Sequence, residues 1–111
     1  MVETTFSIQV ADLVSESVRR LRAILQAERI YLFGSRTRNE ADEDSDFDFL
    51  VVVRDSSLPR YKREQQAFRA LCGLGIAKDV LVKTRAELER FRKVPSSLEA
   101  EILRRGRKIH G

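Results

Sequence analysis

Asp46 and Asp48 stand one residue apart in SDFDFLVV, at the entrance to a run of apolar residues. Alternate side chains of a strand share a face and lie about 6.6 Å apart along it, so the two carboxylates point the same way. A pair placed like this can converge on two hard cations about 3.5 to 4 Å apart, the arrangement that clamps a phosphoryl group during in-line displacement. Phe47, Phe49 and Leu50 predict a buried setting for Asp48, where a lone carboxylate is unfavourable. A third acid, Asp79, sits in IAKDVLV among Ala77, Val80, Leu81 and Val82. If that segment runs beside 47–54, Asp79 supplies a third ligand. Taken alone, it reads equally well as a core acid satisfied by an arginine.

Upstream, Gly34-Ser35 follows RIYLF directly. Glycine lets an oxyanion approach the backbone, and serine adds a hydroxyl donor beside free N–H groups. The dipeptide therefore reads as a phosphate cradle, although Gly-Ser after a strand is more often just a turn. Arg36 and Arg38 can neutralise charge nearby or pair with the acids of 40–44, of which Asp42 and Asp44 read as solvated loop residues. Gly-Ser, Asp-x-Asp and a later strand Asp favour a site in combination rather than singly.

Competing chemistries find little support. A single cysteine, Cys72, and a single histidine, His110, exclude an internal disulfide and a Cys/His zinc cluster, so any metal is held by oxygen. Cys72, near a helix end, reads as a core thiol. An EF-hand begun at Asp44 would need Gly and Glu where the chain has Phe49 and Asp55. Neither a P-loop nor a dinucleotide-binding glycine motif is present.

The elements that must hold these residues follow from periodicity. Val10, Leu13, Val14, Val18, Leu21, Ile24 and Leu25 recur at helical spacing, predicting an amphipathic helix over 7–26. RIYLF (29–33) predicts a strand, and FDFLVVVR (47–54) a second one, apolar on both faces toward its end. Ala67, Phe68 and Leu71 mark a helix over 60–72, and 76–82 a third strand. Thr84 and Glu87 form a capping-box pattern for a helix through Phe91. Pro95 interrupts it, and Ser96 with Glu99 repeats the cap for a last helix carrying Leu98, Ile102 and Leu103 to Gly106. The fold class is α/β (α+β), a small mixed sheet of three or more strands packed with helices.

At 111 residues and 42% hydrophobic content, the expectation is one domain spanning 1–111. No apolar run spans a bilayer and the N-terminus lacks a signal-peptide pattern, which predicts a cytoplasmic protein. Six of the 17 acids fall between Glu40 and Asp48, so the rest of the chain is more basic than its net charge of +4. Such a body suits polyanionic partners, and equally it is what solvated helix faces look like. Direct nucleic-acid binding is not expected, because interleaved exposed aromatics are missing and the carboxylates would go unexplained. Edge strands leave room for a homodimer or hetero-oligomer.

LFGSR, then SDFDFLV, then KDVLVKTRAEL resembles the nucleotidyltransferase superfamily of DNA polymerase beta, specifically its minimal nucleotidyltransferase domains, over nearly the whole chain. The resemblance implies that Asp46, Asp48 and Asp79 are the catalytic carboxylates and bind two Mg²⁺. It implies further that Gly34 and Ser35 hold the phosphates of ATP or another NTP, with Ser45 in the Ser-Asp-x-Asp motif and Arg36 or Arg38 balancing charge. Asn39 stands where many relatives have glycine, a departure that bears on turnover. Stand-alone domains of this kind resemble antitoxins paired with HEPN-type ribonuclease toxins, which they can AMPylate on a tyrosine. The implied function is thus transfer of a nucleoside monophosphate to a partner's hydroxyl. The alternative is a catalytically weak or inactive binding module of the same fold that neutralises the toxin by occlusion.

Overall fold

Leu21 anchors the first helix: it is fully buried, with Leu13, Val14, Val18 and Leu25 packed partly buried around the same core. In the computed structural model this helix is α1 (Val2–Leu25), beginning ahead of the predicted Ser7. The structure describes residues 2–34 and 47–111, and side chains over 11–34, 47–76 and 79–111. Ser17 is buried within α1 and donates from its hydroxyl to the Leu13 carbonyl at 2.7 Å, which satisfies it without a distant partner. Ile24, predicted for the apolar face, is 57% exposed at the helix end.

The chain continues through β1 (Arg29–Phe33), β2 (Phe47–Val53), α2 (Arg60–Ala70), β3 (Ala77–Thr84), α3 (Arg85–Arg92), α4 (Leu98–Arg105) and β4 (Arg107–His110). The strands form one sheet in the order β3-β2-β1-β4. β1 pairs antiparallel with both β2 and β4, while β2 and β3 run parallel. The parallel pair requires a crossover, and α2 provides it.

Side-chain alternation sorts the core into two layers. Ile30, Leu32, Phe47, Phe49, Val51, Val53, Val80 and Val82 pack with α1 and α2. Tyr31, Leu50 and Val52 turn the other way, onto Leu88 of α3 and Ile102 of α4. With helices on both sides, β2 is apolar at successive positions, as its composition predicts.

Polar contacts lock the crossover. Arg63 of α2 is buried and donates to the Val82 carbonyl at 3.0 Å and to both carboxylate oxygens of Glu87 at 2.8 and 3.0 Å. Glu64 accepts from the Val82 N–H at 3.3 Å. Side chains of α2 thus occupy hydrogen-bonding groups on the outer edge of β3, where another chain could otherwise add. Glu87 also completes the predicted capping box with Thr84. The Arg63 guanidinium bonded to it holds its carboxyl down at about 2.

Two local expectations are corrected. The last helix is capped by Ser97, not Ser96: the Ser97 hydroxyl accepts from the Ala100 N–H at 3.0 Å and donates to the Phe91 carbonyl at 2.7 Å, so it closes α3 and opens α4 together. Glu99 therefore is not the back-bonding member of a capping box. It pairs with Lys83 of β3 at 3.2 Å, their side chains only 13% and 8% exposed, and the Phe91 ring lies 5.5 Å from the lysine nitrogen. Cys72, predicted as a core thiol, is exposed just past the end of α2, because Leu71 takes the buried position. Among the described residues, no helix is long and apolar enough to cross a membrane.

Candidate active site

Asp48 is the second residue of β2 and sits on the face that carries Leu50 and Val52, toward α3 and α4. Apolar neighbours hold it there, since Phe47 and Phe49 are both buried in the opposite layer. The residue is half-buried, with Oδ1 shielded from solvent.

Asp79 is its register partner on β3, across a parallel pair whose strands lie about 4.8 Å apart. The pairing depends on an irregularity. Phe47 faces Ala77, but Asp48 faces Asp79, so Lys78 is passed over. Had the register run straight on, Asp79 would face Phe49 and lie on the opposite side of the sheet from Asp48. The one-residue step, of the kind a β-bulge makes, turns the two acids to one face. Asp79 is exposed, which excludes the reading of it as a core acid satisfied by an arginine.

Gly34 follows β1 with φ +88, a conformation that side chains rarely tolerate. A Cβ at this position would come 2.5 Å from Asp48 Oδ2. Glycine is thus required twice, by the backbone angle and by the carboxylate lying against it. Ser35, Arg36, Arg38, Asn39, Ser45 and Asp46 lie outside the described residues.

Gly34 and Asp48 open onto a cleft of about 210 Å³. Phe33 and Gly106 form further parts of its wall, and Leu98, Glu101, Ile102 and Arg105 of α4 line the remainder. Gly106 permits the close seating of α4 on the sheet, because a Cβ there would meet the Ile102 carbonyl at 2.5 Å and the Leu32 carbonyl at 3.1 Å. The sequence reading did not single out Glu101 or Arg105. Their only signal is helical spacing with Leu98 and Ile102, which many amphipathic helices share.

Two carboxylates on adjacent strands are an all-oxygen donor set, suited to a hard divalent cation such as Mg²⁺ and poorly suited to a soft metal. Among the described residues, no three His, Cys, Asp or Glu side chains converge as a complete metal site. The residues present fit two oxygen ligands of a magnesium centre.

Known proteins are similar to the chain in sequence and in architecture. A Methanocaldococcus jannaschii protein provisionally named a protein adenylyltransferase is 27% identical over 77 residues, covering 68% of this chain and 76% of the relative. The crystal structure of a provisionally named nucleotidyltransferase from Sulfolobus solfataricus superposes with a TM-score of 0.62 at 26% identity, covering 78% of each chain. The family model for the nucleotidyltransferase domain matches residues 14–109, so that Asp48, Asp79, Gly34, the first three strands and all but the last residue of the fourth fall within it. The chain belongs to the nucleotidyltransferase domain family.

Proposed function

We propose that the protein transfers a nucleoside monophosphate, AMP from ATP, to a hydroxyl on a protein acceptor. We propose further that the acceptor is a tyrosine of a HEPN-type ribonuclease toxin, which the protein neutralises as an antitoxin. The acceptor oxygen attacks the α-phosphorus, a new P–O bond forms, the bond to the departing pyrophosphate breaks, and the hydroxyl proton is released to water. The observation that carries the reading is the register pairing of Asp48 with Asp79 on one face, with Gly34 against the Asp48 carboxylate.

In this reading Asp46, Asp48 and Asp79 hold Mg²⁺, which when bound neutralises charge developing at the phosphorus and lowers the pKa of the attacking hydroxyl. Asp79, the exposed member, stands where an acceptor can arrive from solvent. Gly34 and Ser35 hold the phosphates, and Arg36 or Arg38 balances their charge. The adenylyltransferase name carried by the Methanocaldococcus jannaschii relative supports a protein acceptor.

The test is incubation with Mg²⁺, α-labelled ATP and the product of a neighbouring toxin gene. Label should reach a toxin tyrosine, and Asp48→Asn should reduce the rate at least about a hundredfold. Label transfer that is equally fast after joint Asp46→Ala and Asp48→Ala substitution would rule the reading out. Neutralisation of the toxin in cells that persists in that double variant would instead identify occlusion as the mechanism.

A further inference from the structure

The α4 wall of the cleft carries three kinds of side chain in a fixed order. Leu98 lies at the start of the helix, Glu101 about one turn on, and Arg105 in the last turn, a span of about 10 Å. Spacings of three and four residues keep all three on one helix face with Ile102. Gly106 is seated against β1, so the Arg105 end of α4 lies beside the strand that leads into Gly34. From the phosphate-cradle end outward, the wall presents a cation, then a carboxylate, then apolar surface.

A nucleotide has the same order: phosphate, then ribose, then base. Resting on the nucleotidyl-transfer reading above, we infer that this cleft is the nucleoside subsite. Arg105 meets a phosphate, Glu101 accepts hydrogen bonds from the ribose hydroxyls, and the base lies against Leu98 with Phe33 and Ile102 behind it.

Three observations support the assignment. Leu98 is 47% exposed although it lines a cleft, which leaves apolar surface for a base to cover. Among the described residues, neither Glu101 nor Arg105 is engaged in an ion pair, while most other helix arginines are: Arg19 and Arg20 with Glu16, Arg60 with Glu64, Arg63 with Glu87, Arg85 with Glu28 and Arg92 with Glu89. A guanidinium left unpaired at a cleft mouth is suited to an anionic ligand. The volume is also limited: about 210 Å³ lies below the roughly 300 Å³ at which ordinary ligand pockets begin, so it takes the nucleoside with its nearest phosphate at the Arg105 end and leaves the rest of the triphosphate outside. A carboxylate is the group that dinucleotide-binding folds use to hold a ribose 2′-hydroxyl.

The experiment is calorimetric titration of the purified protein with ATP and with 2′-deoxy-ATP, each with Mg²⁺. The wild type should bind ATP about tenfold more tightly than the deoxy analogue. Glu101→Ala should bind the two equally, and Glu101→Gln, which keeps one acceptor oxygen, should retain part of the preference. Arg105→Ala should weaken both ligands about tenfold and leave their ratio unchanged. Circular dichroism establishes that each variant is folded. If both nucleotides bind but the wild type does not prefer ATP, or if Glu101→Ala keeps the full preference, the subsite assignment is overturned and the transfer reading stands. If neither nucleotide binds the wild type, both fall.

Discussion

Asp48 and Gly34 constrain one another. The carboxylate occupies the space a Cβ would need at position 34, and the backbone there already holds a positive φ. Gly34→Ala must therefore rotate the Asp48 side chain away or shift the end of β1, and either movement displaces a proposed metal ligand. A displacement of about 1 Å at reacting groups costs about a hundredfold in rate. The expected outcome for Gly34→Ala is a folded protein whose transfer rate is about a hundredfold lower, measured with labelled ATP and the protein acceptor. A rate within a few-fold of wild type would mean that Asp48 does not work in the position it occupies here. The glycine's presence after a strand was legible from LFGS alone. Its contact with Asp48 was not, because the two are brought together by antiparallel pairing of β1 with β2, where Phe33 faces Asp48.

Among elements, the buried pair of Lys83 and Glu99 fastens α4 to the sheet beside the cleft. Removing one partner leaves the other buried without its countercharge, at a cost of about 3 kcal/mol. Glu99→Ala should lower stability by about that amount in urea titration. The double substitution Lys83→Met with Glu99→Leu should recover most of it, since a well-packed apolar pair replaces a buried ion pair at little cost. The sequence announced a helix here but misplaced its cap, because Ser96 and Ser97 are adjacent and equally able to cap. Glu99 looked like a capping-box residue until Lys83 proved to be its partner. β1 and β2 were legible because they are short, apolar and flanked in the sequence by turn-forming residues. β4 was not: RKIH is brief and charged, and only its place beside β1 makes it a strand.

Across the whole molecule, Arg63 and Glu87 tie the crossover helix to the far end of β3 and the start of α3. The Glu87 carboxyl is held down at about 2, chiefly by its hydrogen bonds to Arg63, against an ordinary 4.5. A folded-state pKa below the unfolded one contributes stability that is complete above 4.5 and disappears as pH falls toward 2. The partly exposed position of Glu87 keeps the contribution modest. The stability difference between wild type and Glu87→Gln should therefore be constant from neutral pH down to about 5, then shrink steadily in acid, as urea titrations at successive pH values would measure. A gap that stays constant through pH 3 would show that this carboxyl is not depressed.

The step at Lys78 makes the site sensitive to parity. Strand residues alternate between faces, so whether Asp79 joins Asp48 is decided by whether the count of residues entering the paired stretch is odd or even. Because Lys78 is the residue passed over, its loss would let the register run straight from Phe47 and Ala77 to Asp48 and Asp79 with no step. Asp79 would stay on the face of Asp48, and Val80 and Val82 would stay in the α1–α2 layer. Deletion of Lys78 should thus keep the pairing of the two acids, whereas an alanine inserted between Asp79 and Val80 breaks the alternation and should cost far more stability and activity. Thermal melts and label transfer on the two variants would show the contrast. For this chain, length within a single strand is itself an inherited part of the proposed centre, as specific as the identity of the acids.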